Sequence, residues 1–345
     1  MIAVIGATGF VGAALTRRLL AAGPAGGGRP EPVRVLVRDE ARARARLGGA
    51  GAERLDVVVG GMHDEAALDA LLAGARAVYV LVQTVTARQP DGAGDFADAE
   101  RRATELLVAA ARRAGTRRLL TVGLIGARAQ ATNPWVRSRV AVERQLLGSG
   151  LDVTVLRPGL VAGKGGAGFD DLLRAARRPV AAIRGAGRQH WSWIALDDLV
   201  GYLVDALDEP ETYGRVLDVG TVDAPTYREL VAATAAALGR PTPPVIGLPR
   251  GVLHLVAPLL ERVGGHPRGG LRAALDHLAD DLVGDPVPIR GLLPRDLLDW
   301  DACVHAAIEQ APAVVTGGSV GQSGDGHPPR RPGDRLQLVA RQLDG

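Results

Sequence analysis

The sequence predicts an α/β protein with a doubly wound parallel sheet and a smaller, mainly helical C-terminal lobe. Short Val, Ile and Leu runs alternate with Ala-, Leu- and Arg-rich segments of helical period. This alternation is typical of βαβ units, whose parallel strands are buried on both faces. A chain of 345 residues is long enough to bury a large core.

The first half of the chain carries the regular part of this pattern. We expect strands at 2–6, 33–38, 55–59, 77–82, 118–122 and 152–157. We expect helices at 10–22, 64–73, 98–114 and 135–149. The glycine- and proline-rich stretch 23–32 is interpreted as an exposed connection. Residues 1–160 are therefore predicted to form one core.

The pattern is looser beyond residue 160. Helices are expected at 169–178, 197–208 and 226–238, and short strands at 191–194 and 215–219. Thr226 followed by Glu229 predicts a capping box. Further helices interrupted by prolines are expected at 245–310, so that 161–311 form a lobe interleaved with the core. The Gly-, Pro-, Ser- and Arg-rich segment 312–345 is predicted to be a disordered tail.

Composition argues against several classes of protein. No apolar run is long enough for a transmembrane segment, and no basic region of a signal peptide precedes the first apolar run. Cys303 is the single cysteine, which excludes an internal disulfide and fits a reducing cytoplasm. The histidines show no metal-ligand spacing, so no metal is assigned. The basic residues are scattered among acidic ones, so nucleic-acid binding is not expected.

The N-terminal glycine triplet carries the main functional prediction. A buried strand is followed directly by Gly6-Ala7-Thr8-Gly9-Phe10-Val11-Gly12 and then by a helix. Gly6 allows a tight turn, Gly9 lets a diphosphate approach the backbone, and Gly12 lets the helix pack against the strand. Free N–H groups at the helix N-terminus would bind the phosphates. The order strand, turn, helix predicts a Rossmann-type domain that binds a dinucleotide, with a ligand-free structural turn as the alternative.

The end of the second strand bears on the choice of cofactor. An acidic residue there would bind the ribose 2′-hydroxyl of NAD, whereas an arginine pairs with the 2′-phosphate of NADP. Arg38 occupies this position, and Arg42 follows one helical turn later. The sequence therefore favours NADP(H) over NAD(H). In the alternative interpretation Arg38 is a solvated surface residue and Asp39 binds the ribose.

With these residues the sequence resembles the short-chain dehydrogenase/reductase superfamily. It is most similar to the atypical branch of NmrA-like and complex-I 39-kDa-subunit-like proteins. The resemblance covers roughly residues 1–240, and it implies an NAD(P)-binding Rossmann core over 1–160 with a substrate lobe behind it. The motifs that carry it are Gly6–Gly12, Val37-Arg38-Asp39, Leu156-Arg157-Pro158-Gly159, Ile194–Leu199 and Thr226–Leu230.

The resemblance also implies cofactor contacts at the ends of the third and fourth strands. The Gly-Asp pair that usually follows the third strand is Gly60-Gly61 here, so the adenine contact would come from backbone at Gly61 and Met62. Residues after the fourth strand would line the cofactor and reach its nicotinamide side: Leu81, Val82, Gln83 and Thr84.

The usual catalytic groups of the superfamily are absent. Classical members use a Ser and a Tyr-x-x-x-Lys motif, in which the tyrosine transfers the proton. No tyrosine here has a lysine four residues later, and the positions that align are Gly123, Trp135 and Arg139. Trp135 would lie on the substrate side, but its indole is no acid at neutral pH. Arg139 would bond the ribose hydroxyls, although guanidinium is a poor proton shuttle.

Two segments offer candidates for the substrate side. Lys164, the only lysine, lies in a glycine-rich loop and would approach a substrate, with a mobile surface lysine as the alternative. His190 lies in the segment that lines the substrate side in this branch and is a residue type that titrates near neutrality, with a plain core or surface histidine as the alternative. Trp191 and Trp193 alternate as on a strand and would form either an apolar wall for a flat substrate or simple core.

These observations favour an NADPH-dependent reductase of a small apolar or aromatic carbonyl or enone. One alternative is a redox-inactive NADP(H)-binding sensor or assembly protein. Another is a redox-neutral isomerase, cyclase or dehydratase that uses the same pocket. The apolar segment 247–263 is expected to cover the substrate lobe, and the alternatives are a contact with a second subunit or protein partner, or with a membrane surface.

Overall fold

The computed structural model describes residues 1–21, 31–82, 96–131, 133–184, 187–248 and 281–309. The chain divides into two compact units, Met1–Gln310 and Ala311–Gly345. All of the second unit lies outside the described residues, as do residues 23–30 of the predicted connection 23–32 and most of the apolar segment 247–263. The predictions for these segments therefore remain predictions.

The elements alternate along the chain as the sequence predicts. The strands are β1 Ile2–Ile5, β2 Val33–Val37, β3 Leu55–Val59, β4 Ala77–Val80, β5 Arg118–Val122, β6 Asp152–Pro158, β7 Leu160–Ala162, β8 Ala181–Arg184, β9 Trp193–Ala195, β10 Arg215–Val219 and β11 Val245–Leu248. The helices are α1 Phe10–Ala21, α2 Glu40–Leu47, α3 Glu65–Leu72, α4 Phe96–Ala114, α5 Pro134–Leu147, α6 Ala167–Arg177, α7 Leu196–Asp205, α8 Tyr227–Ala237, α9 Val287–Leu292 and α10 Trp300–Glu309.

Seven parallel strands form the central sheet in the order β10-β6-β5-β4-β1-β2-β3. The order reverses between β1 and β4, which makes the carboxyl ends of these two strands the topological switch point. In open α/β sheets ligands bind in the crevice outside this point. The predicted Rossmann-type α/β fold is confirmed.

Apolar cores lie on both faces of this sheet. On one face α1 packs against α7, and residues such as Leu15 and Leu199 are fully buried there. On the other face α3, α4 and α5 pack in sequence, with Leu71 and Leu107 in the core. Helices therefore cover both faces of the sheet. This explains why the strand sequences are apolar runs and do not alternate between apolar and polar residues.

The C-terminal lobe has a separate core built from aromatic side chains. Trp193 and Phe169 both meet Trp300 of α10 edge-on, at ring-centroid distances of 4.9 and 5.5 Å. Trp191 meets Tyr227 of α8 at 5.0 Å. The predicted capping box at Thr226 and Glu229 is present at the start of α8. Packed aromatic pairs of this kind hold α6, α8 and α10 together.

Several local elements differ from the sequence prediction. Residues 40–47 form helix α2, for which no prediction was made, because Asp39 caps it by accepting the Arg42 N–H at 2.9 Å. Strands β7 and β8 were also not predicted. Residues 245–248, expected to be helical, form β11, because β-branched Val245 and Ile246 pair in parallel with β8. No helix in the described ranges has both the length and the apolar character needed to span a membrane.

Gly12 controls how closely α1 approaches β1. A Cβ atom at this position would lie 2.0 Å from the carbonyl oxygen of Gly6. We therefore expect Gly12→Ala to lower the free energy of unfolding by about 3 kcal/mol, although alanine is the better helix former. Chemical denaturation measures the effect. Gly291→Ala is the matched control, because Gly291 lies in helix α9 and its Cβ position has no atom of another described element within 4 Å. Equal stability of Gly12→Ala and Gly291→Ala would contradict this packing.

Candidate functional site

The glycine turn connects β1 to α1 at the switch point. Gly6 has φ +86°, a conformation that side chains other than glycine rarely adopt. Its carbonyl accepts the Gly9 N–H at 2.9 Å, and Gly9 in turn accepts the Ala13 N–H at 3.0 Å. The chain thus reverses within four residues and enters the helix at Phe10. Gly6 thus forms the tight turn that the spacing predicts, and the role of Gly9 beside a diphosphate remains a prediction.

The start of α1 fits a diphosphate group. Ala13 is the first amide bonded within the helix, so the N–H groups of Phe10, Val11 and Gly12 precede the helical ladder. The first turn holds no acidic residue that would neutralise the positive end of the helix dipole. Gly9 is exposed, and among the described residues its Cβ position meets only the Gly6 carbonyl oxygen, at 3.2 Å. The outer side of Gly9 is therefore open for a phosphate.

The end of β4 lies directly against this turn. A Cβ on Gly6 would lie 2.8 Å from the carbonyl carbon of Leu81 and 3.1 Å from the Val82 nitrogen. The Leu81 N–H also donates to the Ile5 carbonyl at 2.9 Å. Two segments that the resemblance assigns to the cofactor, at 6–12 and 81–82, therefore form one continuous surface.

The ends of β2 and β3 lie side by side at the same edge of the sheet. The Gly60 N–H donates to the Val37 carbonyl at 2.8 Å, which places Gly60 and Gly61 next to Arg38. Arg38 is exposed, and within the described ranges its side chain has no hydrogen-bond or ion-pair partner. Asp39 instead uses its side chain to cap α2. Within the described residues, the Asp39 side chain is thus used to cap α2, whereas the Arg38 side chain is not used in a hydrogen bond or ion pair with the protein.

A cavity of about 50 Å³ lies between the ends of β4 and β5 and the helices α4 and α5. Met62, Val82 and Arg139 line it, so two further predicted cofactor residues, Met62 and Arg139, lie beside Val82. Gly123, the position of the missing serine, lines the same cavity. A cavity of this size has room for water molecules beside its polar groups.

Arg139 forms a buried ion pair in this cavity. Its guanidinium pairs with Glu100 of α4, and the two residues are 8% and 4% exposed. The Ser138 hydroxyl donates to the same Glu100 carboxylate at 2.6 Å. Burial lowers the pKa of Arg139 to about 10, against the opposing charge of Glu143, so that the group is still protonated at neutral pH. A hydrogen bond from Arg139 to the ribose would therefore compete with the ion pair between Arg139 and Glu100.

A second buried pair explains why residue 123 is glycine. The Oε2 atom of Glu143 accepts a hydrogen bond from Arg157 Nε at 3.0 Å. The other carboxylate oxygen, Oε1, has no hydrogen-bond partner in the described part of the chain and would lie 2.1 Å from a Cβ on Gly123. The carboxylate of Glu143 thus fills the space that a serine side chain would need.

The sequence prediction missed Glu100, Glu143 and Arg157. A signal for Glu143 was available, because it follows Trp135 and Arg139 at intervals of four residues on α5. Positions with this spacing share one helix face, where a buried stripe calls for apolar side chains. A charge at such a position indicates a partner inside the protein.

The three catalytic candidates lie in different surroundings. The loop with Lys164 contacts Phe10 of the glycine motif through Gly163 and Gly166. His190 is exposed in the lobe, where its Nδ1 atom lies 2.9 Å from the Ala224 carbonyl oxygen and its backbone N–H donates to Asp281. Arg139 is buried against Glu100. Of the three, only Lys164 lies in a segment that contacts the glycine motif.

The tryptophans of the predicted substrate side are mostly part of packed regions. Trp191 and Trp193 are 2% and 9% exposed and belong to the aromatic core of the lobe. This burial favours the simple-core alternative over an apolar wall for a substrate. Trp135 is half-buried at the start of α5, where Asn133 caps the helix. Gln83 and Thr84 lie outside the described residues.

Restoring the serine should conflict with Glu143. We expect Gly123→Ser to lower the free energy of unfolding by about 2 kcal/mol, because the new side chain overlaps the carboxylate. In a Glu143→Ala background, Gly123→Ser should lower the free energy of unfolding by less, since the overlapping carboxylate is absent. Denaturant titration of the four proteins in this double-mutant cycle measures the coupling. Equal costs in both backgrounds would show that the carboxylate does not determine the glycine.

Curated relatives align with different parts of the chain. The "Epimerase family protein SDR39U1" of Bos taurus is 33% identical over 112 residues, which are 32% of this chain and 37% of the relative. This alignment thus spans little more than a third of the relative's length. The "(4-alkanoyl-5-oxo-2,5-dihydrofuran-3-yl)methyl phosphate reductase" of Streptomyces griseus subsp. griseus is 28% identical over 318 residues, covering 88% of this chain and 97% of the relative.

Solved structures share the fold. The NADPH-dependent quinone oxidoreductase QOR2 from Escherichia coli, complexed with NADPH, superposes with a TM-score of 0.68 at 21% identity, over 88% of this chain and 99% of that one. At this identity the likeness establishes the fold alone.

A family model described as NAD(P)H-binding matches residues 6–178, half of the chain, and includes the glycine motif and the loop with Lys164. The predicted recognition is confirmed: the chain belongs to the NAD(P)H-binding family.

Proposed function

We propose that this protein is an NADPH-dependent reductase of a small conjugated or aromatic carbonyl compound. The observation that carries the proposal is the diphosphate cradle at Gly6–Gly12, open on the outer side of Gly9. The Streptomyces griseus relative supports the reductase class, because it aligns over 97% of its length and its name describes a reductase of an unsaturated lactone. The NAD(P)H azoreductase of Xenophilus azovorans, 29% identical over 248 residues, belongs to the same broad class of activity.

In the proposed reaction, NADPH supplies the hydride for an electron-poor carbon of the substrate. The chain would contribute orientation: α1 would hold the phosphates, and the ends of β1 and β4 would line the cofactor site. A proton completes the reduction at the substrate oxygen or at the adjacent carbon. We assign this proton to water, with His190 as the side-chain alternative, because the aligned Tyr and Lys positions hold Trp135 and Arg139.

We further propose a preference for NADPH over NADH. Arg38 is exposed at the end of β2 without a protein partner in the described ranges, and Arg42 follows on α2. Asp39, the residue that would bind a ribose hydroxyl, caps α2 instead. A guanidinium at this position is suited to a phosphate, with which it forms two parallel hydrogen bonds.

A binding protein without net redox turnover is the second candidate. The observation in its favour is the replacement of all three usual catalytic groups, together with the buried pairing of Arg139 and Glu100. A redox-neutral reaction has support in the "Epimerase family" name of the bovine relative, although that alignment covers only 37% of its length. These candidates share the cofactor site and differ in what happens after binding.

A turnover assay separates the three functions. Purified protein is incubated with NADPH and a panel of enones, unsaturated lactones, quinones and aromatic aldehydes, while absorbance of the reduced nicotinamide and product formation are followed together. A reductase consumes one NADPH for each product molecule. Product without loss of NADPH would establish a redox-neutral reaction. Saturable NADPH binding with no product across the panel would favour the binding protein and contradict our proposal.

Arg38→Asp tests the choice of cofactor. We expect NADPH affinity to fall by about tenfold or more, because an attraction to the 2′-phosphate becomes a repulsion. NADH affinity should change by much less. Fluorescence titration with both nucleotides measures the ratio, and Arg18→Asp, an exposed charge in the last turn of α1, is the control. Equal losses of affinity for NADPH and NADH would contradict the assignment of Arg38 to the 2′-phosphate.

A further inference from the structure

The loop Gly163–Gly166 packs against the ring of Phe10. A Cβ on Gly163 would lie 3.2 Å from the Cζ atom of Phe10, and one on Gly166 would lie 2.8 Å from the same ring. Side chains at these two positions would push the loop away. The two glycines therefore permit a contact between this loop and the first residue of α1.

The loop has a defined conformation. Gly165 has φ +91°, and its N–H donates to the Asp170 carboxylate at 3.2 Å. The Gly166 N–H donates to the Gly163 carbonyl at 3.1 Å, which closes a turn around Lys164. Helix α6 begins directly afterwards at Ala167. The position of the Lys164 backbone is thus set by its neighbours, while its side chain is exposed.

The phosphate-binding surface lies next to this contact. Phe10 follows the exposed Gly9 and carries one of the three N–H groups that precede the helical ladder. Lys164 belongs to the loop that packs on the Phe10 ring. Its flexible four-carbon stem gives the ammonium group the reach to approach an anion held at these donors. Attraction between the ammonium and a phosphate adds to the field of the helix N-terminus.

The residue type is itself unusual for this chain. The sequence has 41 basic residues, of which Lys164 is the only lysine. Arginine offers a planar fork, whereas lysine offers a compact charge with three rotatable donors. Both side chains carry the positive charge that attracts a phosphate, and lysine presents this charge as a compact group on a flexible stem.

We propose that Lys164 binds the diphosphate of bound NADP(H) from the loop, so that the diphosphate is held between α1 and this ammonium group. The inference rests on the proposed cofactor site but not on reductase turnover. It changes the interpretation of Lys164 from a group that approaches the substrate to one that binds the cofactor. A phosphate on the substrate is the competing source of the same chemistry, and the experiment separates the two.

The single lysine makes a direct spectroscopic test practical. Reductive methylation with ¹³C-formaldehyde labels Lys164 and the N-terminal amine while keeping their charges. Lys164→Arg identifies the lysine signal by its loss. We expect the Lys164 resonance to shift with NADP⁺ and with ADP-ribose, which has the diphosphate without nicotinamide. It should not shift with 2′-AMP, which has only the 2′-phosphate, or with inorganic phosphate at equal ionic strength.

Affinities of variants provide the second readout. We expect Lys164→Gln to weaken NADPH binding about five- to tenfold at low salt, and less at high salt, because the ion pair is partly exposed. Lys164→Arg should retain most of the affinity. Arg174→Gln is the matched control, since Arg174 is an exposed cation on α6 that pairs with Asp171. Its loss should leave affinity within twofold.

Three results would overturn the inference. The first is a Lys164 resonance that does not move when calorimetry shows saturation with NADP⁺. The second is a response to inorganic phosphate or 2′-AMP but not to ADP-ribose. The third is an equal loss of affinity in Lys164→Gln and Arg174→Gln. Wild-type protein that binds NADPH without turnover would contradict the reductase proposal and leave this one standing, whereas absence of binding would contradict both.

Discussion

The close approach of α1 to the β1–β4 crevice is the constraint on which the site depends. Gly12 lets the helix touch the Gly6 carbonyl, and Gly6 itself is pressed against the backbone of Leu81. These contacts fix the position of the first turn of α1 beside Gly9, where the N–H groups of residues 10–12 precede the hydrogen-bonded ladder of the helix. Every functional assignment made for this chain uses that surface, because the cofactor it would hold determines where a substrate must lie.

Much of this arrangement could be predicted from the sequence because it depends on local steric rules. A positive φ at Gly6 and a close helix contact at Gly12 admit only glycine, so that the spacing alone indicates the turn. Buried parallel strands read as apolar runs, which located six of the seven strands in the main sheet, and the isolated run at 215–219 located the seventh. The capping box at Thr226 followed from the same local logic.

The parts that depend on tertiary partners could not be predicted in this way. The ion pair of Arg139 with Glu100 joins residues 39 positions apart, and nothing local to either residue indicates the other. Trp191 and Trp193 show the alternation of a strand, but only the position of Trp300 and Tyr227 decides that they are core. The short strands β7, β8 and β11 form through pairing with distant segments. The Phe10 contact of the Lys164 loop belongs to the same class.

Calorimetric titration of the intact protein with NADPH, beside a Gly9→Val variant shown to be folded, tests the central claim most directly. The wild-type protein should bind one nucleotide, and the valine should reduce affinity by about hundredfold, because its side chain displaces the diphosphate from charge-assisted hydrogen bonds to the helix. Within the described part of the chain the Cβ position of Gly9 meets a single atom, the Gly6 carbonyl oxygen, so the variant should keep its fold. Equal affinity of the two folded proteins, or no binding by either, would contradict the account.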